Sequence, residues 1–315
     1  SGSLIWERVL GGRVESSAGI TLDLTQVVVG CYDGYLYFFD CENGALRWKF
    51  QTNAEIKCQP TPNMQKGLIW CGSHDHKLYI LDAVDRSCVW EHDFKASIFA
   101  APAHDSIRGL TYIATTGGAV IALTFESDSP KICWTYQCSA PVFGTPMIDA
   151  DLGYAICTVV NGFVLALTST GLLSWQYKTL GPIFAGACIS PALPSQVLVC
   201  CRDGWVYSLN SSDGICLWKH QVGEPITSAA YVDEGVDLTV QENNGCVVHS
   251  FRLVCVCGSL GQLHVLKVYG GSRTSFANIQ IGVHAFPEEQ KAVEKVDLKE
   301  NSVPQTHEID KNMGF

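Results

Sequence analysis

Residues 26–50 read QVVVGCYDGYLYFFDCENGALRWKF, and their pattern decides the fold. An apolar run from Gln26 to Gly30 is followed by Asp33-Gly34, then the alternating stretch YLYFFD, then the turn ENG and a segment centred on Trp48. The segments are short, rich in Val, Tyr and Phe, and bounded by Gly, Asp or Asn, which marks strands joined by tight turns and not helices. Asp-Gly between two such runs predicts a two-residue hairpin, whose turn needs positive φ. Asn161-Gly162 and Asp203-Gly204 occupy the same place further along the chain.

Working outward from Trp48, the residues Trp6, Trp48, Trp90, Trp134, Trp175 and Trp218 are separated by 42, 42, 44, 41 and 43 positions. A period in the low forties, with the same order of segments in each period, is the signature of a propeller blade. Small residues recur where the innermost strand of each unit is expected: Ser16-Ser17-Ala18, Ala100-Ala101-Pro102, Gly144-Thr145-Pro146, Ala185-Gly186-Ala187 and Thr227-Ser228-Ala229. Inner strands converge on the axis, where bulky side chains would collide. The Trp falls on the outer strand, where a wide ring fills the wedge between blades and its N–H can reach a backbone carbonyl.

The expected architecture is all-β: a propeller of about six four-stranded blades, spanning residues 1–270. Five periods are complete. A lone outer strand, Leu4 to Leu10, precedes them, and three strands without a Trp follow (Pro225 to Val232, Phe251 to Cys257, Gln262 to Val268), with an insertion at Gly235 to Ser250. The first strand pairing with the last unit would close a six-bladed ring; the alternative is an arc of a larger ring. Residues 271–315 are expected to form a disordered tail, dominated from Pro287 to Lys311 by Glu, Lys, Asp and Gln, with room for a short helix around Glu288 to Glu300.

The 31 acidic residues outnumber 21 basic ones, giving a net charge of -10, so the chain repels a phosphate backbone and nucleic acid is excluded as an expected partner. No apolar run reaches the length of a spanning helix, and SGSLIWERVL lacks the layout of a signal peptide, so no membrane association is expected. The 15 cysteines are odd in number and embedded in apolar runs, which reads as buried thiols in a reducing compartment, the cytoplasm.

Several side-chain constellations could in principle carry chemistry. Cys71, His74 and His76 offer three metal-ligating side chains within six residues. Aligning the repeats puts Asp75-His76 where the first unit has Asp33-Gly34, however, so the histidines fall on an ordinary hairpin. Cys200 and Cys201 end a strand, where neighbours point to opposite faces, and read as two buried thiols. Cys255 and Cys257 share one face of a strand. Asp33, Asp40, Asp75, Asp82 and Asp203 recur at turns and strand ends, where carboxylates bond local backbone. No G-x-S-x-G, P-loop or H-E-x-x-H motif occurs. The sequence thus predicts no catalytic residue and no metal site, and assigns no cofactor-binding residue.

The small inner segment, the GxxDG hairpin and the N/D-G-x-x-x-W strand resemble the pyrroloquinoline-quinone (PQQ) type of repeat more than the WD repeat. More narrowly, RVESSAG, VVVGCYDGYLYFFD, LIWCGSHDHKLYILD, GPIFAGACISPALPSQVLVCCRDGWVYSL and EPITSAAYVDE resemble the C-terminal propeller of the β-alanine-activating, or aminoadipate-semialdehyde-dehydrogenase-like, family. The resemblance covers Ser1 to Val268. It implies a parent enzyme with an adenylate-forming ligase domain and a phosphopantetheine carrier domain ahead of the propeller, and a full ring of about eight units, of which this chain would hold a part. Neither a ligase phosphate loop nor a carrier serine motif is present in these residues.

The expected function is therefore a non-catalytic docking or ligand-presenting module of an acyl-activating enzyme, with its adenylation or carrier domain, or other proteins, as partners. Two alternatives are a general protein-interaction propeller and a PQQ-dependent dehydrogenase or its relic. The last would hold its quinone with Ca²⁺ between a stacking Trp and an Arg, and some such enzymes carry an adjacent-cysteine disulfide. Here the repeat tryptophans fall on outer strands, Trp205 opens a third strand, and no carboxylate set matches, so no cofactor is predicted.

Overall fold

The computed structural model describes residues 2–63, 67–125, 129–234, 238–241 and 248–269. The chain divides into two units, Ser1–Val283 and His284–Phe315, and the second lies outside the described residues. So does the whole segment 271–315, expected as a charged tail.

The first unit is all-β, with six four-stranded antiparallel sheets among the described residues. Blade 1 shows the plan: Gly19–Ile20, Gln26–Gly30, Tyr35–Asp40 and Leu46–Gln51 pair in chain order from inside out. Five of the six repeat tryptophans, Trp48, Trp90, Trp134, Trp175 and Trp218, lie on the fourth strands, Leu46–Gln51, Ser87–Asp93, Lys131–Gln137, Leu173–Lys178 and Cys216–Gln221. Second and third strands are buried on both faces because blades stack on either side of them, which is why they read as nearly continuous apolar runs. Among the described residues seven clusters of buried side chains, most spanning neighbouring blades, form the core; Ile156, Val164, Val199 and Tyr207 belong to one that joins blades 4 and 5.

In each of the first five blades the register between third and fourth strands slips by one residue just before the Trp, as where Phe38 faces Trp48 but Phe39 faces Leu46. The bulge bends the outer strand and turns the indole toward the next blade. There the ring docks on a hairpin. Trp134 Nε1 donates to Ser169 O at 2.8 Å, and Trp175 Nε1 to Ser211 O at 2.8 Å. Gly171 and Gly214, both at positive φ, lie directly under these rings: a Cβ on either would stand 2.7 and 2.5 Å from the indole.

Several expectations are corrected. Residues 4–10 form no strand and pair with no sheet. Trp6 instead docks on blade 1 as an outer-strand Trp docks on the blade that follows it, donating to Cys41 O at 2.9 Å above Gly44. The small triplets lie just before the inner strands, because there one blade's backbone meets the next: a Cβ on Gly144 would stand 2.5 Å from Gly186 N, and Ala101 N donates to Thr145 Oγ1 at 3.0 Å. The Asp-Gly hairpins are three-residue turns, not two-residue ones. In blade 1, Gly34 N bonds Cys31 O and Cys31 N bonds Tyr35 O, and only the glycine takes positive φ, +82°. Finally, the expected insertion contains a strand, Leu238–Gln241, which forms a hairpin with the start of Val248–Cys257.

Candidate functional site

The carboxylates picked from the sequence are turn chemistry in detail. Asp33, Asp75 and Asp203 each accept a hydrogen bond from the tyrosine hydroxyl four residues on (Tyr37, Tyr79, Tyr207; 2.5, 2.7 and 2.6 Å) and from the amide two residues on. Burial works to raise the Asp33 carboxyl, but the Tyr37 hydroxyl and Tyr35 amide outweigh it and hold it below its ordinary value; burial and the same carboxylate push the Tyr37 phenol up. Asp40 caps its turn through the amides of Glu42 and Asn43 and pairs with Arg47; Asp82 bonds the amides of Val84 and Asp85.

The candidate metal ligands separate. Cys71 is buried in the core between blades 1 and 2, where the Cys58 thiol and burial push its thiol well above the ordinary value. His74 stands edge-on to Phe99, and His76 is exposed at the turn with φ +76°. Cys200 packs between blades 5 and 6 and Cys201 between blades 4 and 5. Cys255 is half-buried and Cys257 exposed on one strand. Trp205 opens the third strand of blade 5, with Lys219 Nζ 4.6 Å from its ring centroid. Among the described residues no three His, Cys, Asp or Glu side chains gather as a metal would require.

What the structure does bring together went unnoticed in the sequence. Each loop that leads from an outer strand to the next inner strand plugs the core with a buried residue: Ile56, Ile98, Val142, Ile183 and Ile226. The position after the plug holds Lys57, Phe99, Phe143, Phe184 and Thr227. The same loop is laced to the hairpin joining second and third strands, through the amides of His74, Thr116, Val160, Arg202 and Ser259, which donate to the carbonyls of Glu55, Ser97, Pro141, Pro182 and Pro225 at 2.8–3.0 Å. Two residues per blade thereby share one end of the propeller.

Three phenyl rings meet there across three blades. Phe99 and Phe143 contact edge to face with centroids 5.4 Å apart, and Phe143 and Phe184 are stacked at 6.1 Å. All three are half-buried. Cations flank the row: Lys57 Nζ lies 5.1 Å from the Phe99 centroid and 4.8 Å from that of Tyr32, and the Arg202 guanidinium 5.9 Å from Phe184. The neighbouring carboxylates are engaged or faced by other groups. Glu15 pairs with Arg13 and accepts the Tyr32 hydroxyl, which raises that phenol, and Glu55 lies 3.9 Å from His74. A contiguous aromatic strip with a positive group at each end can bind apolar and anionic groups. The sequence signal was present in Ser97-Ile98-Phe99, Pro141-Val142-Phe143 and Pro182-Ile183-Phe184, three matching triplets that alignment of the loops would have exposed.

Among solved structures, the chain is similar to BamB from Moraxella catarrhalis, a PQQ-like propeller, with a TM-score of 0.61 and 16% identity over 84% of this chain and 85% of that one. At that identity the likeness shows the fold alone: a PQQ-like β-propeller. No curated protein matches the chain. The family described as "Beta-alanine-activating enzyme, beta-propeller" matches residues 1–287. The repeat, the sheets and this match together place the chain: it belongs to the β-propeller family of the β-alanine-activating enzyme.

Proposed function

We propose that this propeller is a non-catalytic module of an adenylate-forming, acyl- or amino-acid-activating enzyme, and that it docks the adenylation or carrier domain of that enzyme through the end bearing Phe99, Phe143 and Phe184. The observation that carries this reading is the aromatic row itself. Three large apolar rings recur at one loop position and stay half-exposed, where packing alone would be served by the small or polar residues found at the same place in other blades. Every described cysteine is a free thiol, which supports a cytoplasmic setting.

Two measurements test the proposal. Purified protein should give no ATP–pyrophosphate exchange with β-alanine or any other amino acid. A labelled carrier domain titrated with the propeller should show shifts that weaken at least tenfold in affinity for Phe143→Ala. Exchange activity would overturn the non-catalytic reading; carrier binding indifferent to Phe143 would overturn the choice of face.

A further inference from the structure

The aromatic row also indicates what its occupant looks like. We infer that it grips an extended peptide segment in which apolar side chains are flanked by carboxylates; this rests on the docking reading above and specifies the partner's chemistry. Three features of the face lead there.

The first is spacing. Ring centroids step by 5.4 and 6.1 Å from blade to blade. Alternate side chains of an extended chain lie about 6.6 Å apart, so one strand crossing the loops sets every second side chain near a successive phenyl ring. A compact ligand would use one or two rings and leave the rest wet.

The second is charge. The whole chain carries a net charge of -10, yet the row ends in Lys57 on one side and Arg202 on the other. Among the described residues neither is in an ion pair, and each stands against a ring face. Most acidic groups of the same end are occupied elsewhere, Glu15 by Arg13 and Tyr32, and Asp33, Asp75 and Asp203 by tyrosine hydroxyls and amides, while Glu55 stands 3.9 Å from His74. Two cations held over aromatic rings in an otherwise acidic protein select carboxylates and reject a basic segment.

The third is rigidity. The Phe-bearing loops are pinned by the buried plugs and by the amide bonds from Thr116, Val160 and Arg202, so the row is held in place before a partner arrives and little ordering is required on binding.

The experiment is fluorescence anisotropy with the full 315-residue chain and a labelled peptide Asp-Glu-Leu-Ser-Phe-Ser-Leu-Glu-Asp, against a charge-reversed peptide with Lys at the four acidic positions. The acidic peptide is expected to bind at least tenfold more tightly at low salt, with the preference shrinking as salt rises. The variant Lys57→Gln/Arg202→Gln, whose changes leave the core plugs untouched, should remove most of that preference, and Phe143→Leu should weaken both peptides alike. Equal binding of the two peptides, no binding of either, or a preference that survives loss of both cations would overturn the inference. Carrier-domain titration run beside it separates the two readings. If the carrier still binds through Phe143 while the acidic peptide fails, only the occupant's chemistry falls; if both fail, the docking reading falls with it.

Discussion

The joint between blades 4 and 5 and the joint between blades 1 and 2 use the same device with different success. At the first, Trp175 is only 7% exposed, its N–H reaches Ser211 O, and Gly214 makes room beneath the ring. At the second, Trp48 stacks on Phe38 at 4.1 Å, but its Nε1 is buried without a partner, and the hairpin it meets presents Arg86 at φ +54° where the other has glycine. The contrast shows that the repeated Trp is only half of the joint. The other half is a hairpin that exposes a carbonyl and leaves no Cβ beneath the ring.

The largest test of that contrast is deletion of the rings. Trp175→Ala should cost about 3–5 kcal/mol in urea unfolding, and Trp48→Ala at least about 1 kcal/mol less, because it forfeits no hydrogen bond. Equal losses would mean that wedge filling alone holds the joints.

A smaller effect concerns a joint whose buried polar group is satisfied. His104, between blades 2 and 3, bonds Thr111 Oγ1 at 2.9 Å and approaches Thr61 Oγ1 at 3.3 Å, and burial lowers its pKa from 6.5 to about 4. The unfolded chain takes up that proton first as pH falls, so the histidine's contribution is complete above about pH 6.5 and is lost toward pH 4. Over that window His104 should account for about 3 kcal/mol of acid destabilisation. Unfolding curves of His104→Gln at pH 7 and 4.5 should show a shallower pH dependence than the parent, and an unchanged slope would count against a neutral buried imidazole.

Next comes the glycine. Gly214→Ala combines positive φ with a Cβ 2.5 Å from the indole and should cost about 2 kcal/mol, whereas Arg86→Gly should gain up to about 1 kcal/mol by relieving a left-handed residue. Thermal melts of both variants check the pair; a destabilised Arg86→Gly would break the comparison. Smallest of all, Trp48→Phe should be within about 0.5 kcal/mol of neutral, since it removes an unpaired N–H, while Trp175→Phe should cost about 1 kcal/mol.

Much of this architecture was legible because strands and turns are specified locally. The Trp period, the apolar second strands and the Gly turns follow from periodicity and φ preferences, and they place five blades correctly. The strand at residues 4–10 was misread because LIWERVL has the pattern of an outer strand, but a strand exists only where a neighbour supplies hydrogen bonds; in the structure Trp6 keeps its dock while the backbone stays unpaired. The small triplets were placed one step too far inward for a related reason: sequence shows that a backbone must come close, not which backbone. The aromatic row was hidden differently. Phe99, Phe143 and Phe184 lie about forty residues apart and look like ordinary core positions until blade stacking sets them side by side.

The most direct test of the docking account is hydrogen-exchange mass spectrometry of the propeller with and without the family's carrier domain. The account predicts slowed exchange in the loops around residues 57, 99, 143, 184 and 202, with the outer strands that carry Trp48, Trp134 and Trp175 unchanged. Slowing confined to those outer strands, or no change anywhere at saturating carrier domain, would contradict it.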